Sequence, residues 1–442
     1  MDRIIEGGSP IRGIVSVPGD KSISHRALIF GALSSGQSNF TGLSTAKDVE
    51  TTKNILKELG IQFNNNKDED NKKALTINGI GIGGFEKLRK SSNKEIYKLY
   101  CSNSGTTARL IMGLLGGAGI KAEITGDNSL SQRPMDRVVE PLKSIGVEIE
   151  STQGHLPVRI IGGKAVPFNY TLQVASAQVK SAMILAALFI NGTSTIIEPQ
   201  ETRDHTERML LLMDGDIMIK RLLNGKNIMI NGRKELTPLS FKIPGDISSA
   251  IFFIAAALII PGSEITIEHV LLNPTRAHIF EVLKRMGAKI DIEQTEEFPE
   301  PVGNVKVTYS KLKGTRISSL EVPLIIDEIP ALAAIAFYAR GKTIVTGASE
   351  LRVKESDRIK SITTMIKSFG GNIEEKDDGF IIKGRKRAHP SQVESFGDHR
   401  IAMAASILAM TVKGKNVIKN SKCVEISFPE FFQILESVKA ET

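Results

Sequence analysis

The sequence has few of the residues on which secreted and membrane proteins depend. Its 442 residues include no tryptophan and only two cysteines, Cys101 and Cys423, which are too few for a disulfide framework and favour a reducing compartment. The N-terminus lacks the apolar core of a signal peptide. The longest apolar run, residues 250–260, stops at Pro261 and is too short to span a bilayer. We therefore expect a soluble, cytoplasmic protein with no membrane partner.

Motifs for metals and nucleotides are also scarce. The seven histidines lack the spacing of metal ligands, and neither HExxH nor CxxC occurs, so we expect no metal site. The phosphate-binding motif GxxxxGK[ST] is absent, and we expect no cofactor. Aromatic residues make up 5% of the chain, which leaves few platforms for stacking nucleic-acid bases and predicts no nucleic-acid partner. The net charge of +8 suits an anionic partner without naming one.

A glycine turn followed by a β-prone run recurs six times along the chain. The successive spacings are 83, 73, 70, 79 and 73 residues, and the turn glycines are Gly36, Gly119, Gly192, Gly262, Gly341 and Gly414. These periods are longer than those of simple solenoid repeats and indicate small α/β subdomains. Each turn follows an alanine-rich segment that is apolar on most faces, which predicts six buried helices.

The two halves of the chain resemble each other at a possible domain crossover. The run Pro18-Gly19-Asp20 is echoed by Pro244-Gly245-Asp246, and a Pro-Gly pair is a turn signal. We therefore assign three repeats to a domain of residues 20–243, and three to a second domain of residues 1–19 plus 244–442. The polar run at residues 64–73 is predicted to be a solvated loop.

Cations stand where the predicted buried helices begin. The N-terminus of a helix carries partial positive charge and unpaired N–H groups, so it attracts anions. Most of the serine, threonine and asparagine residues at these positions are explained by N-capping. Capping does not explain Lys21, Arg26, Lys180 or Arg400, because a cation is electrostatically unfavourable there unless an anion is shared.

Further cations lie on segments that follow the predicted strands. They include Arg133, Arg203 and the charged run at residues 351–358. Taken alone, such a run is more often a solvated helix face than a site. Arginine forks, however, bind carboxylate and phosphate with two parallel hydrogen bonds. A pocket that gathers these groups would suit substrates that carry several phosphates and carboxylates.

Seven motifs in order along the chain resemble those of the EPSP synthase family of enolpyruvyl transferases. They are PGDKSISHR at 18–26, NSGTTAR at 103–109, TGDNSLSQRPM at 125–135, SAQVKSA at 176–182, TRDHTER at 202–208, LRVKESDR at 351–358 and GDHRIAM at 397–403. The forms GDKSISHR and SAQVK are similar to those of class II members. The sister family, which acts on UDP-N-acetylglucosamine, typically has a different N-terminal motif and a cysteine-bearing loop, and neither is found here.

The resemblance implies an α/β fold and a reaction. The expected fold is the two-domain enolpyruvyl transferase fold, with six βαβαββ repeats, three per domain, around buried parallel helices whose N-termini face an interdomain cleft that holds the active site. The expected substrates are phosphoenolpyruvate and shikimate 3-phosphate. The 5-hydroxyl of shikimate 3-phosphate attacks C2 of phosphoenolpyruvate, C3 gains a proton, and the tetrahedral intermediate loses phosphate without a cofactor.

The resemblance also implies roles for residues at the matching positions. Asp327 is the expected base on the 5-hydroxyl, and Lys354 and Glu355 are both candidates for protonating C3. Lys21 is expected to contact both substrates and to take part in catalysis. The implied ligands of shikimate 3-phosphate are Lys21, Ser22, Arg26, Ser176, Ala177, Gln178, Lys180, Arg203, Asp327 and Lys354. The implied ligands of phosphoenolpyruvate are Lys21, Asn103, Gly105, Arg133, Gln178, Arg358 and Arg400.

Some alternatives remain open from the sequence. Asp327 could instead cap a helix, although Glu328 beside it would serve equally well. The segment from Glu425 to Pro429 lacks a lysine that some family members use. Gly105 keeps the small residue of glyphosate-sensitive enzymes, and we expect this protein to be moderately sensitive to glyphosate.

The competing functions are enolpyruvyl transfer to another alcohol, nucleic-acid binding, and ligand binding without catalysis. We expect a monomer.

Overall fold

A computed structural model describes residues 2–67, 71, 73–91, 96–223, 225–384 and 387–440. The chain divides into two compact units. The middle unit is Lys21–Ile243, and the terminal unit combines Met1–Asp20 with Pro244–Thr442. Both units are built from short strands and helices that alternate along the chain. In the described part of the chain, no helix is both long enough and apolar enough to cross a membrane.

The strands within the described residues are short, and each unit contains three sheets. They are β1 (Arg3–Glu6), β2 (Arg12–Val15), β3 (Ser35–Thr41), β4 (Gln62–Lys67), β5 (Lys73–Ile80), β6 (Tyr97–Tyr100), β7 (Ala122–Thr125), β8 (Val147–Thr152), β9 (His155–Gly163), β10 (Asn169–Thr171), β11 (Thr193–Glu198), β12 (Ile217–Arg221), β13 (Lys226–Asn231), β14 (Ser240–Lys242), β15 (Glu264–Leu271), β16 (Lys289–Glu296), β17 (Val302–Thr308), β18 (Arg316–Ile317), β19 (Lys342–Val345), β20 (Asn372–Lys376), β21 (Gly379–Lys383), β22 (Gln392–Glu394) and β23 (Lys415–Lys419).

The helices of both units include buried and amphipathic ones, together with two 3₁₀ segments at Ser349–Val353 and Ser421–Ile426. The α-helices are α1 (Lys21–Leu33), α2 (Lys47–Glu58), α3 (Gly81–Ser91), α4 (Gly105–Ala118), α5 (Asn128–Ser131), α6 (Asp136–Ser144), α7 (Ala177–Ala187), α8 (His205–Leu212), α9 (Ile247–Ile259), α10 (His278–Arg285), α11 (Val322–Ile325), α12 (Ile329–Tyr338), α13 (Arg358–Ser368), α14 (His399–Met410) and α15 (Phe431–Ser437).

The three sheets of the middle unit share one pairing scheme. Their orders are β14-β3-β5-β4, β6-β7-β9-β8 and β10-β11-β13-β12. In each sheet, the strand that follows a buried helix has one parallel and one antiparallel neighbour, as β3 has in β14 and β5. Strand β14 follows the third sheet in the chain but pairs with the first. The pairing of β14 with β3 therefore joins the end of the third repeat to the first repeat within the unit.

The N-terminal segment completes the terminal unit in a similar way. The sheet orders are β16-β17-β15-β2, β18-β19-β21-β20 and β1-β23-β22. Strand β2 pairs parallel with β15, and β1 pairs antiparallel with β23. Residues 3–15 therefore contribute strands to two sheets whose other members come from the second half of the chain. This pairing explains why the first residues belong with the last ones.

The six predicted buried helices are α1, α4, α7, α9, α12 and α14. All 13 residues of α9 are buried, including Ser248 and Ser249 in its first turn, and the apolar run that begins at residue 250 predicts this burial. In the middle unit, α4 and α7 pack with their backbones in close approach. A Cβ added to Gly113 would lie 2.3 Å from the carbonyl oxygen of Ala182, and one on Gly117 would lie 2.5 Å from Cα of Ala186. Only glycine fits at these two positions of the helix contact.

The predicted turns lead into the strands β3, β7, β11, β15, β19 and β23. Gly119 shows why glycine is needed, because it ends α4 in the left-handed conformation with φ of 69°. The prediction of a loop at residues 64–73 is wrong for residues 64–67, which belong to the edge strand β4 and pair with β5, and for Lys73, which is the first residue of β5. Polar side chains are normal on an exposed edge strand and resemble a loop in composition. Residues 68–70 and 72 lie outside the described residues.

Candidate active site

Three predicted ligands lie together where α1 begins in the middle unit. Lys21 is the first residue of α1, and its Nζ donates to Oδ2 of Asp48 at 3.0 Å. Arg203, on the segment between β11 and α8, donates from Nη1 to the hydroxyl of Ser22 at 3.3 Å. The two cations are half-buried, so they retain faces toward solvent. They can therefore bind an anion at the N-terminus of α1.

Arg26 lies one turn further along α1 and is 3% exposed. Its Nε donates to Oγ1 of Thr206 and its Nη2 to Oγ of Ser181, both at 2.7 Å. Its Nη1 donates to the backbone oxygen of Ser22 at 2.9 Å. Since three hydrogen bonds hold the guanidinium, its orientation is set before any ligand arrives.

The start of α7 carries the next group of predicted ligands. The side chain of Gln178 accepts from Nη1 of Arg109 at 2.8 Å and donates to Oγ1 of Thr106 at 2.9 Å. The hydroxyl of Ser176 caps α7 by accepting from the backbone N–H of Val179. Ala177 is the first residue of the helix, so its N–H is one of those that an α-helix leaves without an internal partner.

The residues predicted to bind phosphoenolpyruvate in the middle unit lie where α4 begins. Oδ1 of Asn103 accepts from Nη2 of Arg133 at 2.6 Å, and Nδ2 of Asn103 donates to Asp127 at 2.8 Å. A Cβ on Gly105 would lie 2.9 Å from Nη1 of Arg109 and 3.5 Å from Nη1 of Arg133. Two guanidinium groups therefore border Gly105, and a larger side chain would press on them.

Lys180 is placed differently from the other predicted ligands. Its side chain is fully buried, and Nζ lies 2.9 Å from Glu198 and 2.7 Å from Glu207. Burial alone would lower the pKa of the amine, but the charges of Glu207 and Glu198 outweigh burial, and the net shift of the pKa is upward. The prediction that Lys180 binds shikimate 3-phosphate finds no support in this geometry, and we remove Lys180 from the proposed ligands.

In the terminal unit, Asp327 lies beside two arginines. Its Oδ1 is 3.5 Å from Nη1 of Arg358 and 3.6 Å from Nε of Arg400, and its side chain is 19% exposed. Its backbone oxygen accepts from Nη1 of Arg400 at 3.0 Å. The N-cap position of α12 is occupied by Glu328, whose side chain makes no capping hydrogen bond. These contacts favour a role in the site for Asp327 over a role as a helix cap.

Arg358 joins three carboxylates within the same unit. Its side chain is 1% exposed, and its Nε donates to Asp398 at 2.8 Å. Its Nη2 donates to Glu355 at 2.5 Å, and its Nη1 faces Asp327. Asp398 is fully buried and also caps α14, so one side of the arginine is fixed. Arg358 therefore holds the base candidate and one of the acid candidates on a single guanidinium.

Lys354 differs from Glu355 in its contacts. Its Nζ makes no hydrogen bond or ion pair within the described residues, and the side chain is half-buried. Desolvation lowers the pKa of the ammonium group, the positive charge of Arg358 adds to this shift, and the charge of Asp327 opposes it. A lowered pKa suits a group that transfers a proton near neutral pH.

The sequence did not reveal Arg276. Its guanidinium is 2% exposed and lies 3.4 Å from Asp20, 3.1 Å from Asp246 and 3.8 Å from Glu328. Burial and the charge of Asp20 raise the pKa of Asp246 to about 6, although Arg276 and Arg400 oppose this shift. Arg276 follows Asn273 in an irregular segment without a recognisable motif, so no local signal could have identified it.

The C-terminal segment packs into the core of the terminal unit. In the C-terminal segment that lacks a lysine, Phe428 is fully buried, and its ring centroid lies 6.0 Å from that of Phe253 and 5.7 Å from that of Phe431. The segment is thus part of the hydrophobic core.

Across the described ranges of the chain, no cluster of three or more histidine, cysteine, aspartate or glutamate side chains is arranged to hold a metal ion.

Comparison with known proteins identifies the family. A family model described as EPSP synthase (3-phosphoshikimate 1-carboxyvinyltransferase) matches residues 5–435. This chain belongs to the EPSP synthase family. Relatives named 3-phosphoshikimate 1-carboxyvinyltransferase include those of Streptococcus uberis, 43% identical over 97% of this chain and 98% of the relative, and Syntrophomonas wolfei, 44% identical over 99% and 100%. The resemblance predicted from the seven motifs is therefore confirmed.

Solved EPSP synthase structures confirm the predicted fold class as well. The EPSP synthase of Acinetobacter baumannii superposes with a TM-score of 0.85 at 37% identity, covering 99% of this chain and 98% of the other. The enolpyruvyl transferase NikO of Streptomyces tendae gives a TM-score of 0.73 at 16% identity, covering 98% and 96%. At that identity the second likeness shows a shared fold alone.

Proposed function

We propose that this member of the EPSP synthase family transfers the enolpyruvyl group of phosphoenolpyruvate to the 5-hydroxyl of shikimate 3-phosphate and releases phosphate. The reaction belongs to the shikimate pathway to chorismate and aromatic amino acids. Family membership supports the choice of substrates. The observation that best supports the proposed chemistry is that the carboxylate of Asp327 is partly exposed and lies beside Arg358 and Arg400. A base and cations for anionic substrates are thereby present in one cluster.

The proposed addition step needs a base and an acid. Asp327 removes the proton of the 5-hydroxyl as its oxygen attacks C2 of phosphoenolpyruvate, and C3 receives a proton from Lys354 or Glu355. The product of this step is a tetrahedral intermediate that still carries the phosphate. In the elimination step, the bond between C2 and the phosphate oxygen breaks, phosphate leaves, and C3 loses a proton to restore the double bond. Over the two steps, one phosphate is released for each 5-hydroxyl of shikimate 3-phosphate that reacts.

The cations of the middle unit suit the phosphate and carboxylate of shikimate 3-phosphate. Arg26 and Arg203 are already oriented by hydrogen bonds, so little conformational entropy is lost when they bind an anion. The proposed ligands in this unit are Lys21, Ser22, Arg26, Ser176, Ala177, Gln178 and Arg203. Asp327 and Lys354 complete the set from the terminal unit. That these groups meet around one substrate in a cleft remains a prediction from the sequence.

Phosphoenolpyruvate is smaller and more highly charged for its size, so it needs cations on several sides. Arg133 is oriented by Asn103, and Arg358 by Asp398, which pre-organises two of the forks. The proposed ligands of phosphoenolpyruvate are Lys21, Asn103, Gly105, Arg133, Gln178, Arg358 and Arg400. Their electrostatic stabilisation of the departing phosphate requires no further reactant.

We also propose that the protein acts as a cytoplasmic monomer and does not bind nucleic acid. Two cysteines without a disulfide framework support the cytoplasm as the compartment, and the scarcity of aromatic residues argues against nucleic-acid binding. Sedimentation at micromolar concentration should give the mass of one chain. Filter binding of RNA and DNA at low salt should show no retention, and salt-dependent retention would contradict the proposal.

The test of the proposed reaction is phosphate release from shikimate 3-phosphate and phosphoenolpyruvate, with EDTA present and no metal added. Release that needs both substrates, with enolpyruvylshikimate 3-phosphate as the second product, would establish it. Omitting either substrate provides the control. If folded protein releases no phosphate with shikimate 3-phosphate but does so with another alcohol, such as UDP-N-acetylglucosamine, the acceptor is different and the proposal is overturned.

A further inference from the structure

A fully buried ionic cluster lies directly behind the proposed ligands of shikimate 3-phosphate in the middle unit. The ammonium of Lys180 on α7 lies 2.9 Å from Glu198, the last residue of β11, and 2.7 Å from Glu207 on α8. The side chains of Lys180 and Glu198 are 0% exposed, and that of Glu207 is 1% exposed. We call these three residues the Lys180 triad. It joins three separate elements through one cation.

The two glutamates of the Lys180 triad flank the segment that carries Arg203. Glu198 precedes residues 199–204, and Glu207 follows them within the first turn of α8. Oε1 of Glu198 also accepts from the backbone N–H of Thr202 at 3.0 Å and from its hydroxyl at 2.5 Å. Thr202 is the immediate neighbour of Arg203 in the chain. Lys180 therefore holds Glu198, Glu198 holds Thr202, and Thr202 in turn fixes the position of Arg203.

The neighbours of Lys180 and Glu207 in the sequence hold a second proposed ligand. Ser181 follows Lys180, Thr206 precedes Glu207, and both hydroxyls accept hydrogen bonds from Arg26 at 2.7 Å. The two hydroxyls are also hydrogen-bonded to each other at 2.7 Å. A shift between α7 and α8 would therefore break this pair and disturb two of the three hydrogen bonds that hold the guanidinium of Arg26.

The charges of the Lys180 triad do not balance. One ammonium faces two carboxylates, and burial raises the pKa of Glu198, while the nearby charge of Lys180 opposes that shift. A buried charge without its partner is costly, so Lys180 is needed to keep both carboxylates in place. Compared with well-packed apolar side chains in the same place, a buried ionic cluster adds little to the free energy of unfolding. Its value lies in fixing the geometry of the three elements that it joins.

We propose that Lys180 is a positioning residue for shikimate 3-phosphate, acting through Glu198 and Thr202 on Arg203 and through Glu207 on the Thr206 contact of Arg26. The inference rests on the proposed function, because it presumes that Arg203 and Arg26 bind this substrate. Lys180 does not touch the substrate. It sets the spacing of α7, α8 and the end of β11, on which the orientation of both arginines depends.

The test is the variant Lys180→Met, which keeps the length of the side chain and removes its charge. The dissociation constant for shikimate 3-phosphate, measured by calorimetry, should rise by about tenfold, as expected when a charge-assisted hydrogen bond is misplaced. The KM for phosphoenolpyruvate should stay within about twofold, because its three proposed arginine ligands, Arg133, Arg358 and Arg400, lie outside the elements that the triad joins. Unchanged affinity for shikimate 3-phosphate in the folded variant would overturn the inference.

A double-mutant cycle with Arg203→Ala tests the route of the effect. If Lys180 acts through Arg203, Lys180→Met should weaken binding much less in the Arg203→Ala protein than in the unmodified one. Full additivity of the two changes would contradict this route. Leu185→Ala provides the matched control for stability, since Leu185 is a buried residue at the far end of α7. It should lower the melting temperature without changing the affinity, and an equal loss of affinity would overturn the inference.

A second variant covers the case in which Lys180→Met does not fold. Glu207→Gln leaves one cation and one carboxylate in the Lys180 triad, so its stability should be retained while the tie to α8 is weakened. Its affinity for shikimate 3-phosphate should fall several-fold, and an unchanged affinity would overturn the inference. Binding by the unmodified protein separates the two proposals. If it binds and turns over the substrate while every variant matches it, only the positioning role fails; if it does not bind, the proposed function fails first.

Discussion

Nη1 of Arg358 lies 3.5 Å from Oδ1 of Asp327, and the same guanidinium binds Asp398 through Nε. The proposed base is thus positioned by a cation that is itself held by a buried carboxylate. Because Arg358 also binds Glu355, a change at this arginine affects the base and an acid candidate together. The catalytic and structural roles of this cluster are therefore separable only by variants that alter one partner at a time.

Replacing Asp327 by Asn should remove the base while keeping the size of the side chain. We expect kcat to fall by about a thousandfold, within the range that general-base catalysis contributes. The affinity for shikimate 3-phosphate should remain measurable by calorimetry, because most of its proposed ligands lie in the middle unit. Asp291→Asn, an exposed aspartate on β16, is the control and should leave kcat unchanged. Turnover at the unmodified rate in Asp327→Asn would show that Asp327 is not the base.

Replacing Arg358 by Met should be more damaging to stability than the same change at Arg352. Arg358 is 1% exposed and pairs with the fully buried Asp398, so its loss leaves a buried charge unpaired, at a cost of about 3–5 kcal/mol. Arg352 pairs with Asp357 and Glu375 near the surface, where such pairs contribute about 1 kcal/mol or less. Urea unfolding of both variants measures the difference. Equal losses of stability would contradict the assigned roles.

Gly105→Ala should weaken the binding of phosphoenolpyruvate and of glyphosate. The added methyl would lie 2.9 Å from Nη1 of Arg109, and overpacking of this kind costs about 1–3 kcal/mol. Where this cost falls on the complex with phosphoenolpyruvate, KM should rise by about fivefold or more. The affinity for shikimate 3-phosphate should change little. Gly83→Ala on α3 is the control, because its Cβ would have only an oxygen of Glu235 within 4 Å, at 3.5 Å. Glyphosate inhibition that persists unchanged in Gly105→Ala would refute the steric argument.

Asp246 should make stability depend on pH between about 4 and 6. Its pKa is raised from 3.8 to about 6 by burial and by the charge of Asp20. In this range the folded state therefore binds a proton that the unfolded state has lost, and the group's contribution to stability falls as pH rises. In Asp246→Asn this slope should be missing, so the stability of the variant should rise relative to the unmodified protein from pH 4 to pH 7. Urea midpoints at each pH measure this, and parallel curves would contradict it.

The helices of the core could be predicted from the sequence because their signal is local. The apolar run at residues 250–260 has no polar face, and a segment of that kind is stable only when it is buried on all sides. The edge strand β4 was missed for the converse reason. Its exposed polar residues are compatible with a loop, and only pairing with β5 shows that they form a strand.

The motifs identified the family and the residue types of the candidate site, because each motif is a short run of neighbouring residues. Which side chains meet was decided by the tertiary structure. Asp327 and Glu328 are adjacent and equivalent in sequence, but Asp327 is 19% exposed while Glu328 is fully buried near Arg276. Lys180 stands among proposed ligands in its motif, yet it pairs with Glu198 and Glu207 on other elements. Whether a charged side chain can bind a ligand or instead pairs inside the protein depends on its burial and its partners. Both arise from contacts between residues that are distant in the chain.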